Sequence, residues 1–246
     1  MNVFIVTGAS KGLGFSIVKN LLFRQEFFVI CISRHRNLEL EKMSNKNLNY
    51  LEFDLSQLEK IDEIVKEIFT KVETKKAKSL FLINNAGILA PIKPLEEINF
   101  SEVLENIKVN FLSSLLLASS FLKYSKNTKA QKIIVNISSK SAENPVKNWV
   151  CYGSSKAAID NLTKYIAVEY QKKSNIKSIS IHPPAMDTSM RKENLKAKNI
   201  FEKVWDFIQT RILKRRKVYS PDEVADKIVD IILNKNFHSG TIVDIS

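Results

Sequence analysis

Short runs of β-branched and aromatic residues alternate along the chain with longer stretches in which apolar residues recur every three or four positions. Such alternation predicts strands of a parallel sheet joined by crossover helices. The predicted strands are Asn2 to Thr7, Phe27 to Ser33, Asn49 to Phe53, Leu80 to Ile83, Lys132 to Ile137, Ser178 to His182 and Thr241 to Ile245. The predicted helices are Leu13 to Phe23, Leu58 to Thr74, Phe100 to Tyr124, Val150 to Glu169 and Pro221 to Leu233. The pattern therefore predicts an α/β fold with helices on both faces of a doubly wound, seven-stranded, mostly parallel sheet.

We predict a single domain over residues 1–246, because open parallel sheets of this length are built around one core. The pattern is interrupted at about 184–219, where a charged, partly amphipathic segment indicates an insertion rather than a second domain. The next helix has a clear start. Ser220 is the expected N-cap, Pro221 lies in the first turn, and Glu223 is placed to complete a capping box.

The net charge of +12, from 38 lysines and arginines against 26 acidic residues, is compatible with a nucleic-acid partner. However, the lysines are spread over nearly all the predicted helices. The one dense cluster consists of Arg211, Lys214, Arg215, Arg216 and Lys217. It has no interleaved aromatic residues and no motif that reads a nucleic-acid groove. We therefore expect a solvated basic surface and no nucleic-acid partner.

The two cysteines, Cys31 and Cys151, belong to no CxxC or Cys/His spacing, so we expect neither a disulfide framework nor a metal site. The chain begins directly with an apolar strand, without a basic region or cleavage site of a signal peptide. Its apolar stretches are too short, or too often interrupted by serine, to span a bilayer. We expect a cytoplasmic protein that does not contact a membrane.

The first predicted strand leads directly into a glycine-rich turn, and the first helix begins after it. The turn reads Thr7-Gly8-Ala9-Ser10-Lys11-Gly12-Leu13-Gly14. Glycines allow a tight turn and a close approach of a diphosphate, which then meets the free N–H groups and positive dipole end of the helix. Because dinucleotide folds bind phosphate at this place, we expect a nucleotide-binding loop. The alternatives are a plain structural turn and a loop that serves another nucleotide.

The spacing Thr-Gly-x-x-x-Gly-x-Gly resembles that of the short-chain dehydrogenase/reductase family, and further motifs follow in family order. They are Asn84-Asn85-Ala86-Gly87, Asn110, Ser138-Ser139 and Tyr152-Gly153-Ser154-Ser155-Lys156. The resemblance covers essentially the whole chain. It implies a Rossmann-like fold and an NADP-dependent oxidoreductase that acts on CH–OH and C=O groups.

Tyr152 and Lys156 are four residues apart at a predicted helix start, so both side chains project from one face of the helix. A tyrosine pKa of about 10 is too high for efficient acid–base work at neutral pH. We expect the Lys156 ammonium, together with the positive nicotinamide ring of the oxidised coenzyme, to lower it. Tyr152 would then protonate a carbonyl oxygen that Ser139 holds by a hydrogen bond. The resemblance gives Asn110 the role of organising a water that links Lys156 to solvent.

The coenzyme preference is indicated by the end of the second strand, where NAD-preferring relatives carry an acidic residue. Here Ser33 and Arg34 can donate hydrogen bonds to a 2′-phosphate, and Lys11 adds positive charge, so we expect NADP(H). The alternative is that the arginines only decorate a surface loop. The resemblance implies coenzyme contacts at Gly8, Ser10, Lys11, Gly12, Leu13, Gly14, Ser33, Arg34, Asp54, Leu55, Asn85, Ala86, Gly87, Tyr152, Lys156, Pro183 and Thr188.

The runs 144–152 and 183–190 resemble the benzil reductase and sepiapterin reductase branch of the family, which implies reduction of one carbonyl of a vicinal diketone. Trp149 and Met186 would form apolar walls beside Ser139, and the insertion would cover the site. The alternative is that Trp149 packs in the core. Two positions depart from the family: Pro184 and Ala142 stand where glycines are common.

Other interpretations remain beside a diketone reductase. A sepiapterin-type or other ketone or aldehyde reductase fits the same motifs, and a catalytically silent NADP-binding sensor would need only the coenzyme loop. His182 is a candidate base, although a packed histidine fits the end of a buried strand better, and Cys151 fits a small buried side chain. The resemblance implies a homodimer or homotetramer that assembles through the helices around Phe100 to Tyr124 and Val150 to Glu169.

Overall fold

A computed structural model describes residues 1–24, 27–43, 46–71, 76–197 and 217–245. Seven strands in this part of the chain form one sheet in the order β3-β2-β1-β4-β5-β6-β7, and all neighbours are parallel. They are β1 Asn2–Thr7, β2 Phe27–Ser33, β3 Leu48–Glu52, β4 Ser79–Asn84, β5 Gln131–Ile137, β6 Ile176–His182 and β7 Thr241–Asp244. The strand order reverses direction at β1 and β4, which opens a crevice at their carboxyl ends.

Helices cover both faces of the sheet, and the predicted fold class is confirmed. The α-helices are α1 Gly12–Phe23, α2 Leu38–Met43, α3 Ile61–Lys71, α4 Phe100–Ile107, α5 Ser113–Ser125, α6 Val150–Glu169, α7 Ser189–Ala197 and α8 Pro221–Asn234. Short 3₁₀ helices lie at Leu58–Lys60, Leu95–Glu97 and Lys140–Ala142, and a π-helical turn lies at Lys108–Leu112.

The hydrophobic core has two layers, one on each side of the sheet. Successive side chains of a strand point to opposite faces, so Phe4 joins the layer under α1 and α8, whereas Ile5 joins the layer under α3, α5 and α6. Phe4 also stacks on Phe81 of the neighbouring strand, with 4.3 Å between ring centroids. Burial on both faces explains why the strands are nearly continuous apolar runs.

The start of α8 is confirmed as a capping box. The Ser220 hydroxyl accepts a hydrogen bond from the Glu223 backbone N–H at 3.2 Å, and the Ser220 N–H donates to the Glu223 carboxylate at 2.8 Å. Pro221 occupies the first turn, where it lacks only an N–H that the helix does not use. Residues 217–220 therefore lead directly into the helix that covers one face of the sheet.

Several predicted boundaries were wrong. The predicted helix Phe100 to Tyr124 is interrupted by the π-helical turn, and the one predicted from Leu58 begins with a 3₁₀ turn, with 72–74 outside the described residues. The helices α2 and α7 were not predicted, because short polar segments carry little apolar periodicity; in α2 only Leu40 is buried. Strand ends shifted by a residue or two, as β3 does from Asn49–Phe53 to Leu48–Glu52.

The insertion at 184–219 contains α7 and is described up to residue 197. Its ends are joined by a parallel bridge between Met186 and Tyr219. Residues 198–216 lie outside the described residues. This range includes Arg211, Lys214, Arg215 and Arg216 of the basic cluster. No helix within the described ranges is long and apolar enough to cross a membrane.

Candidate active site

The four residues expected to carry the chemistry meet at the carboxyl ends of β4 and β5. A Cβ atom placed on Gly87 would lie 3.2 Å from Asn110 Oδ1 and 3.5 Å from Lys156 Nζ. The Lys156 ammonium lies 5.5 Å from the centre of the Tyr152 ring, and Ser139 is close enough to the Tyr152 hydroxyl to lower its pKa. The structure therefore brings together side chains that are spread over residues 110–156 of the chain.

Burial dominates the titration of the Tyr152–Lys156 pair. It raises the pKa of Tyr152 to about 12, and the hydrogen bond from Ser139 opposes this. It lowers the pKa of Lys156 to about 8, and the negative charge of Asp160 opposes that change. Burial is therefore the largest influence on the Tyr152 pKa, because the phenolate loses hydration in this site. The expected lowering by Lys156 together with an oxidised nicotinamide ring stays a prediction.

The Lys156 ammonium is held by the backbone of β5. Its Nζ donates a hydrogen bond to the Ile137 carbonyl at 2.8 Å, and only 4% of the residue is exposed. This bond fixes the end of a long, otherwise flexible side chain beside the Tyr152 ring. Lys156 is therefore oriented before any ligand binds.

Asn110 lies in the π-helical turn between α4 and α5, and its side chain is fixed by the loop after β4. Its Oδ1 accepts from the Ile88 N–H at 2.8 Å, and its Nδ2 donates to the Ile88 carbonyl at 2.9 Å. The same Nδ2 also donates to Asn106 Oδ1 at 3.0 Å. A π turn widens the helix locally and is frequent at functional sites. Here it lets Asn110 pair with both backbone groups of Ile88.

The glycine-rich turn forms a backbone cradle under the start of α1. A Cβ atom on Gly14 would lie 2.3 Å from the Gly8 carbonyl oxygen, so no other residue fits there. Gly8 itself has a φ of 68°, a conformation that favours glycine. The N-cap, Lys11, makes no side-chain cap, which leaves the first N–H groups of α1 free to meet an anion. The cradle fits the diphosphate of a dinucleotide.

The motif after β4 supports this cradle from below. The Asn85 side chain donates to the Thr7 carbonyl at 2.9 Å and to the Gly8 carbonyl at 3.3 Å. The backbone N–H groups of Asn85 and Ala86 both donate to the Thr7 hydroxyl at 3.0 Å. The expected coenzyme residues of β1 and β4 are thus one hydrogen-bonded unit.

The end of β2 differs from the expectation for Ser33. Its hydroxyl donates to the His35 carbonyl at 2.9 Å and lies 2.6 Å from the Tyr50 hydroxyl, and the residue is buried. Ser33 therefore closes the turn of its own loop. The expected hydrogen bond from Ser33 to a 2′-phosphate has no support in this geometry.

Arg34 is the exposed cation at the end of β2, and within the described part of the chain it forms no ion pair. The loop that carries it is tied to the glycine-rich turn, because the Asn37 side chain donates to the Ser10 carbonyl at 2.9 Å. Lys11 follows directly and is also exposed. Arg36, in contrast, is engaged by two carboxylates, those of Glu52 at 2.7 Å and Glu41 at 3.1 Å.

The remaining expected coenzyme residues surround the same crevice. Asp54 accepts from the Ser56 N–H at 2.9 Å, and Leu55 beside it is buried. The Thr188 methyl group would lie 3.6 Å from a Cβ placed on Gly12, so the chain after β6 reaches the glycine-rich turn. Pro183 and Pro184 link β6 to this segment, and Pro184 is buried.

Trp149 stands beside Tyr152 rather than in the core. Its ring is half-buried and meets the Tyr152 ring edge-on, with 5.6 Å between centroids and 86° between planes. The preceding residue, Asn148, has a φ of 68°, which asparagine tolerates better than most side chains. Met186, by contrast, packs against the core layer under α1 and α8 together with Tyr219. Its role as a substrate wall stays a prediction.

Comparisons with known proteins agree with this geometry. The family model described as short chain dehydrogenase matches residues 2–199. The chain belongs to the short-chain dehydrogenase/reductase family. It is 33% identical to a benzil reductase ((S)-benzoin forming) of Bacillus cereus over 250 residues, covering 100% of this chain and 99% of that protein. A benzil reductase ((S)-benzoin forming) of Bacillus subtilis is 31% identical over 247 residues, with coverages of 100% and 98%.

A solved structure of 4-hydroxyisoleucine dehydrogenase complexed with NADH superposes on the chain with a TM-score of 0.81. The identity is 26%, and the match covers 100% of this chain and 97% of that one. As a short-chain dehydrogenase/reductase, the chain is an oxidoreductase that acts on CH–OH and C=O groups with a nicotinamide coenzyme. Its relatives place it in the carbonyl-reducing branch that the motifs indicated.

Two polar residues of this short-chain dehydrogenase/reductase site were missed by sequence reasoning. Asn106 is fully buried; it donates to the Ala90 carbonyl at 2.6 Å and accepts from the Ser155 hydroxyl at 2.7 Å. Its spacing of four residues from Asn110 was the available signal. Ser141 is also buried and donates to Ser139 Oγ at 3.0 Å. No spacing rule pointed to it.

His182 is packed rather than poised as a base. It is 1% exposed, and its Nε2 lies 2.8 Å from Asp160 Oδ2, while Ser180 donates to the other carboxylate oxygen at 2.5 Å. Glu143 brings its carboxylate within 4.8 Å of this pair. Cys151 is buried, and burial raises the pKa of its thiol.

Proposed function

We propose that this chain is an NADPH-dependent carbonyl reductase that converts an aromatic 1,2-diketone such as benzil to the hydroxyketone. The observation that carries the proposal is the Trp149 ring standing edge-on to Tyr152 at 5.6 Å, in a chain that benzil reductases match over its full length. An aromatic wall beside the proton donor suits an aryl ketone.

The reduced nicotinamide coenzyme supplies hydride to the carbonyl carbon when bound. Tyr152 donates its proton to the carbonyl oxygen, and Ser139 donates a hydrogen bond to the same oxygen. The raised pKa of Tyr152 keeps the hydroxyl protonated for this step. Lys156, whose ammonium lies beside the ring, stabilises the phenolate that remains. Asn110 organises a water that links Lys156 to solvent, so that Tyr152 can regain its proton.

The preference for NADPH is supported by the charges at the end of β2. Arg34 and Lys11 are exposed cations on two loops that the Asn37–Ser10 hydrogen bond holds together. Two carboxylates close to this corner, on Glu41 and Glu52, are paired with Arg36. A dianionic 2′-phosphate would therefore meet the positive charge of Arg34 and Lys11, while these two acids are neutralised by Arg36.

Two other functions keep to the same fold. A sepiapterin-type or other ketone or aldehyde reductase would use the same four side chains with a different substrate pocket. A catalytically silent NADP-binding sensor would have no need for them. The convergence of Asn110, Ser139, Tyr152 and Lys156 on one point favours an active enzyme over the sensor.

The test is a turnover assay with purified protein, benzil and either NADPH or NADH, followed by chiral analysis of the product. We expect oxidation of NADPH, formation of benzoin and much slower oxidation of NADH. Reduction of simple ketones or aldehydes without any turnover of aromatic 1,2-diketones would refute the substrate and leave the reductase. NADPH binding without turnover of any carbonyl compound would favour the sensor.

A substitution at Trp149 sharpens the substrate test. Trp149→Ala should raise the KM for benzil about tenfold, because the aromatic wall is removed, while the KM for a small aliphatic diketone stays within about twofold. Trp149→Phe is the matched control and should retain most of the affinity for benzil. Equal effects of Trp149→Ala on both diketones would argue that the ring only supports the fold.

We also propose a homodimer or homotetramer that forms through α4 and α6. These helices expose Phe100, Leu104, Ile107 and Val150, and of these Ile107 and Val150 line an apolar cavity of about 360 Å³. An exposed patch of this kind marks a protein interface. Leu104→Glu should convert the assembly to a monomer in analytical ultracentrifugation, whereas a monomeric unmodified protein would exclude the assembly.

A cytoplasmic location is proposed as well. Both cysteines, Cys31 and Cys151, are free thiols buried in the structure. Free thiols in place of disulfides are typical of proteins in a reducing compartment. Fractionation of cells that express the protein should recover it with the cytoplasm.

A further inference from the structure

The 3₁₀ helix after β5 holds a second serine against the one that contacts Tyr152. Ser139 is the N-cap of this short helix, Lys140–Ala142, and Ser141 lies within it. Ser139 Oγ accepts one hydrogen bond from the Ser141 backbone N–H at 3.2 Å and another from the Ser141 hydroxyl at 3.0 Å. Ser141 is only 6% exposed, so its hydroxyl has little access to water.

A serine hydroxyl has one proton to donate and two lone pairs to accept with. Both lone pairs of Ser139 are used by Ser141, so Ser139 can make its remaining hydrogen bond only as a donor. Its proton is then available on the side of Tyr152, whose pKa Ser139 lowers, and the oxygen of a carbonyl compound bound between the two hydroxyls would accept it. Without the Ser141 hydroxyl, Ser139 would have a free lone pair and could turn its proton away.

We propose that Ser141 is a positioning residue, which holds Ser139 so that its proton points at the carbonyl oxygen of the substrate. This inference rests on the proposed function and names a residue that acts through Ser139 rather than on the substrate. Hydrogen bonds that form a chain polarise one another, so the bonds from Ser141 also make Ser139 a stronger donor. Ser139 keeps its proton throughout, because the proton that is transferred comes from Tyr152.

The packing around Ser141 makes this arrangement rigid. The Ser141 carbonyl oxygen would lie 3.0 Å from a Cβ atom placed on Gly153, the residue after Tyr152. The Ala142 N–H donates to the Ser139 carbonyl at 3.0 Å, which closes the turn. The turn that carries the two serines therefore packs closely against the start of α6. Glycine at position 153 permits the close approach of the Ser141 carbonyl oxygen.

The experiment is a double-mutant cycle on the full-length enzyme, measured with a carbonyl compound that the unmodified protein reduces. Ser141→Ala should lower kcat about tenfold, because one hydrogen bond to the stabilising donor is lost. The KM and the dissociation constant of NADPH should stay within about twofold. Ser141→Thr, which keeps the hydroxyl, should recover kcat to within about threefold of the unmodified enzyme.

The decisive comparison is Ser141→Ala in a Ser139→Ala background. If Ser141 acts through Ser139, the second substitution should lower kcat by less than about twofold. A further tenfold loss there, or an unchanged kcat in the single variant, would overturn the inference. Ser120→Ala is the matched control, since it removes a buried serine whose hydroxyl donates to Asp62 at 2.8 Å, and its kcat should not change.

The outcome is separable from that of the proposed function. Substantial turnover by Tyr152→Phe would overturn the proposed chemistry whatever Ser141 does. A tenfold loss in Ser141→Ala that persists in the Ser139→Ala background would overturn only the positioning role. A loss of kcat that Ser141→Thr fails to recover would also count against it, because the hydroxyl would then not be the group that matters.

Discussion

The coenzyme end of the crevice is formed by backbone, whereas the catalytic end is formed by side chains. At the coenzyme end the backbone itself forms the surface, with Gly14 so close to the Gly8 carbonyl that a Cβ would lie 2.3 Å from it. At the catalytic end, buried side chains hold one another: Ser141 holds Ser139, and Asn106 holds Asn110. One end is defined by the absence of side chains, and the other by their hydrogen bonds.

Because the two ends are built differently, substitutions at each end should have different effects on coenzyme binding and on the rate. A steric cradle tolerates no added atom, so a small substitution there should remove coenzyme binding as a whole. A hydrogen-bonded network loses one contact at a time, so substitutions there should lower the rate and leave binding intact. Substitutions at the two ends should therefore differ in whether they weaken coenzyme binding or lower the rate.

The strongest effect should come from Tyr152→Phe. Removing the phenol hydroxyl takes away the proton donor, and we expect kcat to fall by about a thousandfold or more. The NADPH dissociation constant, measured by coenzyme fluorescence, should change less than about threefold, because the ring that packs against Trp149 is kept. Weakened NADPH binding of the same size as the loss in rate would break the contrast between the two ends.

The next effect belongs to the cradle. Gly14→Ala would place a Cβ 2.5 Å from the Asn85 amide nitrogen and closer still to the Gly8 carbonyl, so the turn must open. We expect NADPH binding to weaken by about a hundredfold, as titration calorimetry would measure. Asn20→Ala, further along the same helix, is the control and should bind NADPH normally. Normal binding by Gly14→Ala would mean that the turn is not the diphosphate site.

An effect of similar size, confined to the coenzyme that carries a 2′-phosphate, should follow from reversing the charge at the end of β2. Arg34→Asp removes a cation and adds an acid where the 2′-phosphate would lie, so NADPH should be used about a hundredfold less efficiently. NADH should be used as well as before or better. The measurement is the ratio of kcat/KM for the two coenzymes. Lys66→Asp, which reverses a charge on the exposed side of α3, should leave that ratio unchanged.

Sequence reasoning predicted the backbone cradle better than the hydrogen bonds between side chains, and the reason is physical. Glycine spacing reports backbone conformation directly, so the cradle around Gly8 and Gly14 could be predicted from the chain alone. The four side chains expected to carry the chemistry were identified from motif spacing. Ser141, Asn106 and the hydrogen bonds of Ser33 were not, because a hydroxyl or amide chooses its partner by tertiary geometry that spacing does not encode.

The same limit applies to the helices and to the charges. The π-helical turn at Lys108–Leu112 is not signalled by apolar periodicity, which continues across it. Whether the pKa of Tyr152 is raised or lowered depends on how completely burial removes water from the hydroxyl, and burial is known only from the folded structure. The sheet was easier to predict, since strands buried on both faces must be apolar throughout.

The smallest effect concerns Asp160, four residues after Lys156 on α6. Burial lowers the pKa of Lys156 from 10.5 to about 8. The negative charge of Asp160 acts in the opposite direction, but its effect is smaller. If catalysis needs the ammonium, kcat should fall as the pH rises through about 8. Asp160→Asn removes the charge but keeps the shape, so the fall should move to lower pH. Asp226→Asn, on α8, should leave the pH profile unchanged.

Stability should change in the opposite direction over the same range of pH. The lowered pKa of Lys156 means that between about 8 and 10.5 the unfolded chain binds the proton and the folded chain does not. The contribution of this group to stability therefore increases as the pH rises through that window. A melting-temperature profile recorded beside the kcat profile distinguishes titration of Lys156 from alkaline unfolding, because only unfolding would lower the rate and the melting temperature together. If Asp160→Asn left the alkaline fall in kcat where it was, the ammonium of Lys156 would not be the group that limits the rate.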